Sequence, residues 1–524
     1  MTTSDPGEAE PALLSAFMRY ERALLANDVG ELDALFAPGD HTIRSDGGSA
    51  LVGHRQIAEF RAGRKTPPPR RLARVHLRWL TGDAAVIVAE TVRADGGTGV
   101  QTQVWQHRDD PGTEPWVVTT AHVSLAPPAA PGIALSDPDA VWRVPPGRDP
   151  LARGTEGGPL THARVAVKDL FAVAGHRIGA GNPDWLTQAP VEDEHAEAVR
   201  ALLAAGADVT GIAHTDELAF SLAGSNIHYG TPENPAAPGR ITGGSTSGPA
   251  AAVASGVADI GLGTDTAGSI RVPASYCGLY GLRTTHGAVD RRGLVGLAPS
   301  FDAVGLLTRE AALLAEAADA LLPPAAAHRI GDLVVVPEVA ALAEPAMWLA
   351  VQAALRALAL RTGARIRTEH LDPGRLEDWF TAFRTVQQAE AWRLHGRFVE
   401  AHPDALDVAV AARFVQGSAV TAAAETAARS VLAEAKDRLL GLLPVGSALV
   451  LPATSSPALP VDLDPAEVDA IRAATLRLTC LASLAGTPAV SVPDARLGTL
   501  PAGLCLVAAP GEDRSLLRLI TEEG

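Results

Sequence analysis

The 524-residue sequence predicts two folded units in series, a small α+β domain followed by a larger α/β domain with helices on both faces of its sheet. Three observations predict it. The apolar period switches from helical to strictly alternating within residues 1–125, prolines and glycines cluster over 126–158, and from 159 onward short apolar strands alternate with amphipathic helices.

Residues 10–38 carry Leu13, Leu14, Phe17 and Met18, then Leu24, Leu25, Leu32, Leu35 and Phe36, the spacing of a helix face. The period then becomes two over 72–80 (LARVHLRWL), 84–94, 100–108 and 116–125. Turn signals separate these strands at Thr81-Gly82-Asp83, Asp95-Gly96-Gly97 and residues 109–112. Helices followed by an antiparallel meander form one compact unit, residues 1–125. The segment 126–158 (APPAAPG, VPPGRDP, GTEGG) reads as a linker stiffened by proline. The second unit, 159–524, starts with the short apolar strand VAVKDLF at 165–171. EAVRALLAAGA (197–207) is an amphipathic helix closing at Gly206, and a strand follows through 209–212. VADIGLGT, LVVVP and ALVLPA read as buried strands, and 340–445 reads as nearly all helical, a cap or insert.

Bulk chemistry narrows the function. The formal charge is −16, which argues against nucleic acid or an anionic membrane surface as the main partner, since both need clustered Lys and Arg. Three scattered cysteines, Cys277, Cys480 and Cys505, form no CxxC pair, so neither a disulfide framework nor a metal site is expected. The start, MTTSDPGEAE, lacks the basic and apolar regions of a signal peptide, and no run of about 18 apolar residues offers a membrane span, so a cytoplasmic protein is expected. Lysine occurs only at Lys65, Lys168 and Lys436 among 44 basic residues. A lysine in an apolar strand therefore points to what arginine cannot do, losing its proton near neutral pH.

The richest segment runs from 242 to 273, TGGSTSGPAAAVASGVADIGLGTDTAGSIRVP. Its glycines permit positive φ and bring backbone N–H groups close to a reacting atom. In GTDTAGS the N–H groups of Thr266, Ala267, Gly268 and Ser269 converge ahead of a helix near Arg271, an arrangement suited to an oxyanion. A turn or a phosphate nest fits the same glycines, although no Gly-Lys-Ser/Thr follows them as in a P-loop.

Gly243-Gly244-Ser245, Ser247-Gly248, Gly261, Gly263, Asp265, Ala267, Ser269, Ile270, Arg271 and Pro273-Ala274 together resemble the signature motif of the amidase signature family. Val167-Lys168-Asp169-Leu170-Phe171, Gly230-Thr231-Pro232 with Asn234-Pro235, SFDAVGLLTR (300–309) and 484–513 resemble its other blocks, so the likeness covers about 145–523. The resemblance implies an α/β amidase signature fold with a mixed central sheet flanked by helices. It also implies a Ser–cis-Ser–Lys triad: Ser269 as nucleophile, Ser245 after a cis peptide as relay, and Lys168 as base. Burial of Lys168 in an apolar strand would lower its pKa, as that role requires. Gly243, Gly244 and Arg271 are candidate substrate contacts, although Arg271 could equally be buried against Asp265. Thr246 and Pro249 depart from the family pattern and are read as tuning positions that do not touch the triad.

Residues 8–125 resemble the AtzH-like group of nuclear transport factor 2-like cone domains, through RYERALLANDVGELDALF (19–36), HTIR (41–44), GHRQIAEFRAGR (53–64) and WVVTTAHVS (116–124). By that match Tyr20 and Arg44 face an internal pocket, with His122 beside them and Arg44 placed to hold a carboxylate. Such cones serve equally as dimerisation modules, so a homodimer is possible and the pocket's role stays open. The fusion points to two steps on one small nitrogenous substrate, such as a carboxylated urea or biuret fragment. The expectation is an amidohydrolase acting on a small molecule, without cofactor or metal. Two readings compete with it: a glutaminase subunit of a tRNA-dependent amidotransferase, and a binding or scaffold protein with a silent amidase domain.

Overall fold

The computed structural model of the chain describes residues 6–46, 49–63, 70–93, 98–109, 114–125, 137–463 and 465–522. It divides into two compact units, Met1–Gly132 and Ile133–Gly524.

In the first unit the expected helical stretch splits into Pro6–Ala26 and Val29–Ala34. The break falls at Asn27, which takes φ 54°, and Asp28, whose side chain accepts from Glu31 N at 3.1 Å and caps the second helix. Strands β1 (Ile43–Asp46), β2 (Ser49–Val52), β3 (Arg70–Thr81), β4 (Ala84–Arg93), β5 (Thr98–His107) and β6 (Trp116–Leu125) form one sheet in the order β2-β1-β6-β5-β4-β3. The meander β3 to β6 is where the alternation places it, with Ala85, Ile87 and Ala89 buried on one face. The β1–β2 hairpin and the helix His54–Ala62 are additions, since four-residue strands are too short to show a period. Strand β1 runs parallel to β6. Leu13, Phe17, Tyr20, Leu35, Phe36, Trp105 and Trp116 make the core between helices and sheet.

The expected linker is corrected. Residues 126–136 lie outside the described residues, but from 137 the chain is already part of the second unit. There β7 (Trp142–Val144) pairs antiparallel with β9 (Asp208–Ala213), and Ala152 bridges Val209. The proline-rich composition misled because proline is compatible with an edge strand: Pro145 and Pro146 end β7 where no further ladder donors are needed.

The second unit adds β8 (Arg164–Lys168), β10 (Ile260–Asp265), β11 (Tyr280–Arg283), β12 (Ala303–Thr308), β13 (Asp332–Val335), β14 (Arg365–Thr368), β15 (Ser447–Pro452), β16 (Ala489–Leu497) and β17 (Leu500–Val507). The sheet has eleven strands in the order β14-β13-β15-β17-β16-β11-β12-β10-β8-β9-β7. It is mixed: β8 is parallel to both β9 and β10, while β12, β11, β16 and β17 continue antiparallel. Every residue of β10, β12 and β15 is buried, as their continuous apolar runs imply for a sheet covered on both faces. The stretch 340–445 holds the helices Pro345–Thr362, Pro373–Ala401, Val408–Ser418 and Ala422–Leu442, interrupted only by β14, whose Arg365-Ile366-Arg367-Thr368 hides a strand among polar residues. No helix among the described residues is long and apolar enough to cross a membrane.

Candidate active site

Lys168 ends β8, the strand held between β9 and β10, and its side chain is fully buried. Its Nζ lies 2.8 Å from Ser245 Oγ, 2.8 Å from Thr264 Oγ1 and 3.2 Å from Thr246 Oγ1. No carboxylate stands within ion-pair distance of it among the described residues; the neighbouring Asp169 is taken by Arg143 at 2.7 Å. Burial strips hydration from the ammonium and pulls its pKa down to about 7, against the more distant charges of Asp216, Asp265 and Asp302, which raise it. A neutral amine keeps two N–H groups and one lone pair. The Thr246 hydroxyl donates to Thr264 O at 3.3 Å, so its lone pairs face the lysine. The two threonines can then accept both N–H groups, leaving the lone pair to the Ser245 hydroxyl. Thr246, expected to stay clear of the triad, is thus part of the lysine's cradle. That reading erred because the helix Ser247–Ala254 starts after Thr246 and leaves its side chain aimed back at β10. Pro249 sits in the first turn of that helix, as expected.

Ser245 is fixed from behind. The Gly244–Ser245 peptide is cis. The Ser245 carbonyl accepts from Thr215 Oγ1 at 2.8 Å and from Asp216 N at 3.3 Å. The buried Asp216 carboxylate in turn accepts from Gly224 N at 2.9 Å and Ser247 Oγ at 3.0 Å, and burial raises its pKa. A Cβ on Gly244 would lie 2.1 Å from Asp216 Oδ2, and one on Gly243, at φ +71°, would lie 2.9 Å from Tyr276 and Val272. Gly244 N donates to Leu222 O at 2.9 Å and is committed within the protein, and both glycines are needed for close packing of the loop. Asp216 was missed in the sequence, where it stands in the polar run His214-Thr215-Asp216-Glu217 following β9 and carries no distinguishing signal.

Ser269 lies in the turn between β10 and the helix Arg271–Cys277 and lines a narrow cleft with Ser221, Thr266, Ala267, Gln387 and Arg472. Asp265 organises that turn. It accepts from Gly268 N at 2.8 Å, Ile270 N at 3.2 Å, and Arg271 Nε and Nη2 at 2.9 and 2.8 Å, with Arg283 Nη1 at 3.2 Å. The two guanidinium groups hold its carboxyl well below the usual carboxylate range despite burial. Two expectations change here. Arg271 is fully buried on Asp265 and Thr479 O, so it does not meet substrate. The Gly268 N–H is taken by Asp265, so it drops out of the oxyanion set, while Thr266, Ala267 and Ser269 keep N–H groups with no protein acceptor among the described residues. Thr266 Oγ1 donates to Asp302 at 2.6 Å and Thr479 Oγ1 donates to Ala267 O at 2.5 Å, pinning the turn. Lys168 and Ser245 are thus brought together, and Ser269 is held in the cavity wall without a hydrogen bond to Ser245. Such contacts commonly tighten only with substrate bound.

In the first unit Tyr20 is buried against Phe36 and Trp105, with ring centroids 6.1 and 6.2 Å away. Arg44 is buried with its guanidinium 4.6 Å from the Phe60 ring centroid. His122 does not join them. Arg44 pairs with Ala121 across β1 and β6, and the next pair, Ser45 with His122, faces the opposite side, where His122 is exposed and its Nδ1 lies 2.7 Å from Ser45 Oγ. The sequence also hid a buried cluster in which Arg70 meets Glu21 at 2.8 Å and Gln101 donates to Glu21 at 3.0 Å. No group of three or more His, Cys, Asp or Glu side chains that could hold a metal occurs among the described residues.

Comparison with known proteins gives a family match for each of the two units. The Amidase family matches residues 137–346, and the AtzH-like family matches residues 8–129. Amidase 1 of Oryza sativa subsp. japonica is 32% identical over 401 residues, 70% of this chain and 90% of the rice protein. The 1-carboxybiuret hydrolase subunit AtzE of Pseudomonas sp. (strain ADP) is 33% identical over 391 residues, 70% of this chain and 84% of that protein. A crystal structure of an amidase superposes with a TM-score of 0.63 at 30% identity, covering 69% of this chain and 84% of the other.

Proposed function

We propose a serine acyl-transfer mechanism for this chain, which belongs to the amidase family, is an amide C–N hydrolase and carries an AtzH-like domain ahead of its amidase part. Ser269 Oγ attacks the amide carbonyl carbon. Its proton passes to Ser245 Oγ as the Ser245 proton passes to neutral Lys168 Nζ. The oxyanion is met by the N–H groups of Thr266, Ala267 and Ser269. As the C–N bond breaks, the Lys168 ammonium returns a proton through Ser245 to the leaving nitrogen, which departs as ammonia or an amine. Water then attacks the Ser269 ester, its proton following the same path, and the acid is released with Ser269 restored.

The observation that carries this reading is the contact of Lys168 with Ser245 in a fully buried cradle of hydroxyls that holds no counter-ion. The substrate is a small nitrogenous molecule, an amide, urea or biuret-like compound; a carboxybiuret hydrolase subunit among the relatives supports that range. Within this reading the chain works as a cytoplasmic enzyme, and light scattering on the full chain decides between a monomer and a pair built through the N-terminal domain. The test is ammonia release from a panel of amides, ureas and biuret by the wild type and Ser269→Ala. Activity in the wild type that vanishes in a folded Ser269→Ala supports the reading, and equal activity in both overturns it.

A further inference from the structure

Arg472, on the helix Pro465–Ala485, lines the Ser269 cavity and also the two outer cavities that adjoin it, one bounded by Arg384, Arg413 and Asp469, the other by Leu222 and Tyr276. It is the shared wall between the nucleophile and its approach. Its guanidinium has no hydrogen-bond acceptor and no ion-pair partner among the described residues, and its Nε is buried without one. The neighbours do not make up the deficit. Arg384 and Arg413 carry the same sign, and Arg413 is committed to Phe220 O at 2.8 Å. Asp469 is mostly exposed and reaches Arg413, at 3.7 Å, rather than Arg472. Asp216 is engaged by Gly224 and Ser247. Burial and the repulsion of Arg413 both push the Arg472 pKa down, yet a guanidinium stays charged at neutral pH.

The fully buried arginines of this unit show what a structural role looks like. Arg271 and Arg283 bring their carboxylate with them in Asp265. Arg472 is half-buried, and its enclosed Nε, unpaired beside two like charges, makes a place that an anion would complete. We propose that Arg472 binds a carboxylate of the substrate, so that this enzyme prefers amides or ureas bearing a carboxylate a few bonds from the scissile carbonyl. The proposal rests on Ser269 being the nucleophile, because that places the carboxylate and the reacting carbonyl in one chamber. A planar guanidinium with a free edge accepts a carboxylate through two parallel N–H···O bonds, which a neutral amide group does not match.

The test reads binding apart from turnover. Malonate and succinate are titrated calorimetrically at neutral pH into full-length Ser269→Ala, then into the same protein also carrying Arg472→Gln or Arg472→Lys, with malonamide as the neutral control. At least one dicarboxylate binds Ser269→Ala, malonamide binds more weakly, Arg472→Gln weakens the dicarboxylate about tenfold or more, and Arg472→Lys retains part of the affinity. Melting temperature reports folding of each variant; Arg472→Met replaces Arg472→Gln if the latter fails to fold. Absence of dicarboxylate binding to folded Ser269→Ala overturns the proposal, as does equal binding by the Arg472→Gln or Arg472→Met protein. Failure of the underlying reading looks different: ammonia release that survives Ser269→Ala.

Discussion

Two buried cationic sites flank β10, and they have opposite constitutions. Lys168 is surrounded by the hydroxyls of Ser245, Thr246 and Thr264 with no carboxylate in reach, whereas Arg271 and Arg283 converge on Asp265. Both sites are fully desolvated. In the first, the missing counter-ion makes the proton easy to lose; in the second, the shared counter-ion makes every charge permanent. The partner, more than the burial, decides whether a buried cation is chemistry or scaffold. In the proposed mechanism the lysine site moves a proton, while the arginine site holds the turn that carries Ser269.

The sharpest way to break this contrast is to exchange the lysine for a cation that cannot become neutral. Lys168→Arg is expected to lose roughly a thousandfold or more in kcat/KM while remaining folded by circular dichroism, as removal of one member of a catalytic triad does. Retained activity would end the base assignment. Next in size is Asp265→Asn, which strands two buried guanidinium groups. A loss of about 3–5 kcal/mol in urea denaturation is expected, with Ser269 activity falling alongside. Lys168→Met, which deletes an unpaired buried amine, should cost far less in the same measurement.

The pH dependence sharpens the comparison further. The folded pKa of Lys168 is lowered from 10.5 to about 7, so the neutral base appears as pH rises through 7. Below that point kcat/KM is expected to fall about tenfold per pH unit, and above it to level off. The linkage has a definite sign. Between about 7 and 10.5 the unfolded lysine holds a proton that the folded one lacks, so this group's contribution to stability rises with pH across that window. Lys168→Met should flatten that slope, while Asp265→Asn, which removes a charge that holds the lysine's pKa up, should extend it to lower pH. The smallest expected effect is that of Thr264→Val. Losing one acceptor of the ammonium destabilises the charged form, which moves the acid limb of kcat/KM to lower pH and lowers the plateau several-fold, about 1 kcal/mol for one hydrogen bond.

The legible parts of the molecule were those written in local pattern. The β3 to β6 meander showed as alternation, and Lys168 stood out because lysine is rare in this sequence and lies in an apolar strand. Ser245 and Ser269 emerged from the resemblance of their glycine-bearing loops to the amidase signature motif, since the loops alone fit a turn or a phosphate nest equally well. What was hidden depends on contacts between distant residues. Thr264 comes from a different strand and Asp216 from the segment after β9, and neither residue type is unusual where it stands. Arg271 was ambiguous because a helix-start arginine reads the same whether it faces substrate or an internal acid; only the closure of Asp265 onto it decides. His122 was misplaced by one position of register, enough to turn a side chain through a sheet.

The closeness of Gly244 to Asp216 has a consequence for remaking this enzyme. Even one added methyl at 244 would fall 2.1 Å from a buried carboxylate oxygen, and one at Gly263 would fall 2.3 Å from the Thr246 methyl carbon, so the proton path is walled on two sides by positions that admit no side chain. Random libraries aimed at new substrates would therefore yield dead clones at 244 and 263 whatever the target, because the damage precedes any encounter with substrate. Diversity belongs instead at Gln387, Leu476 and Leu297, which face the chamber without supporting the relay.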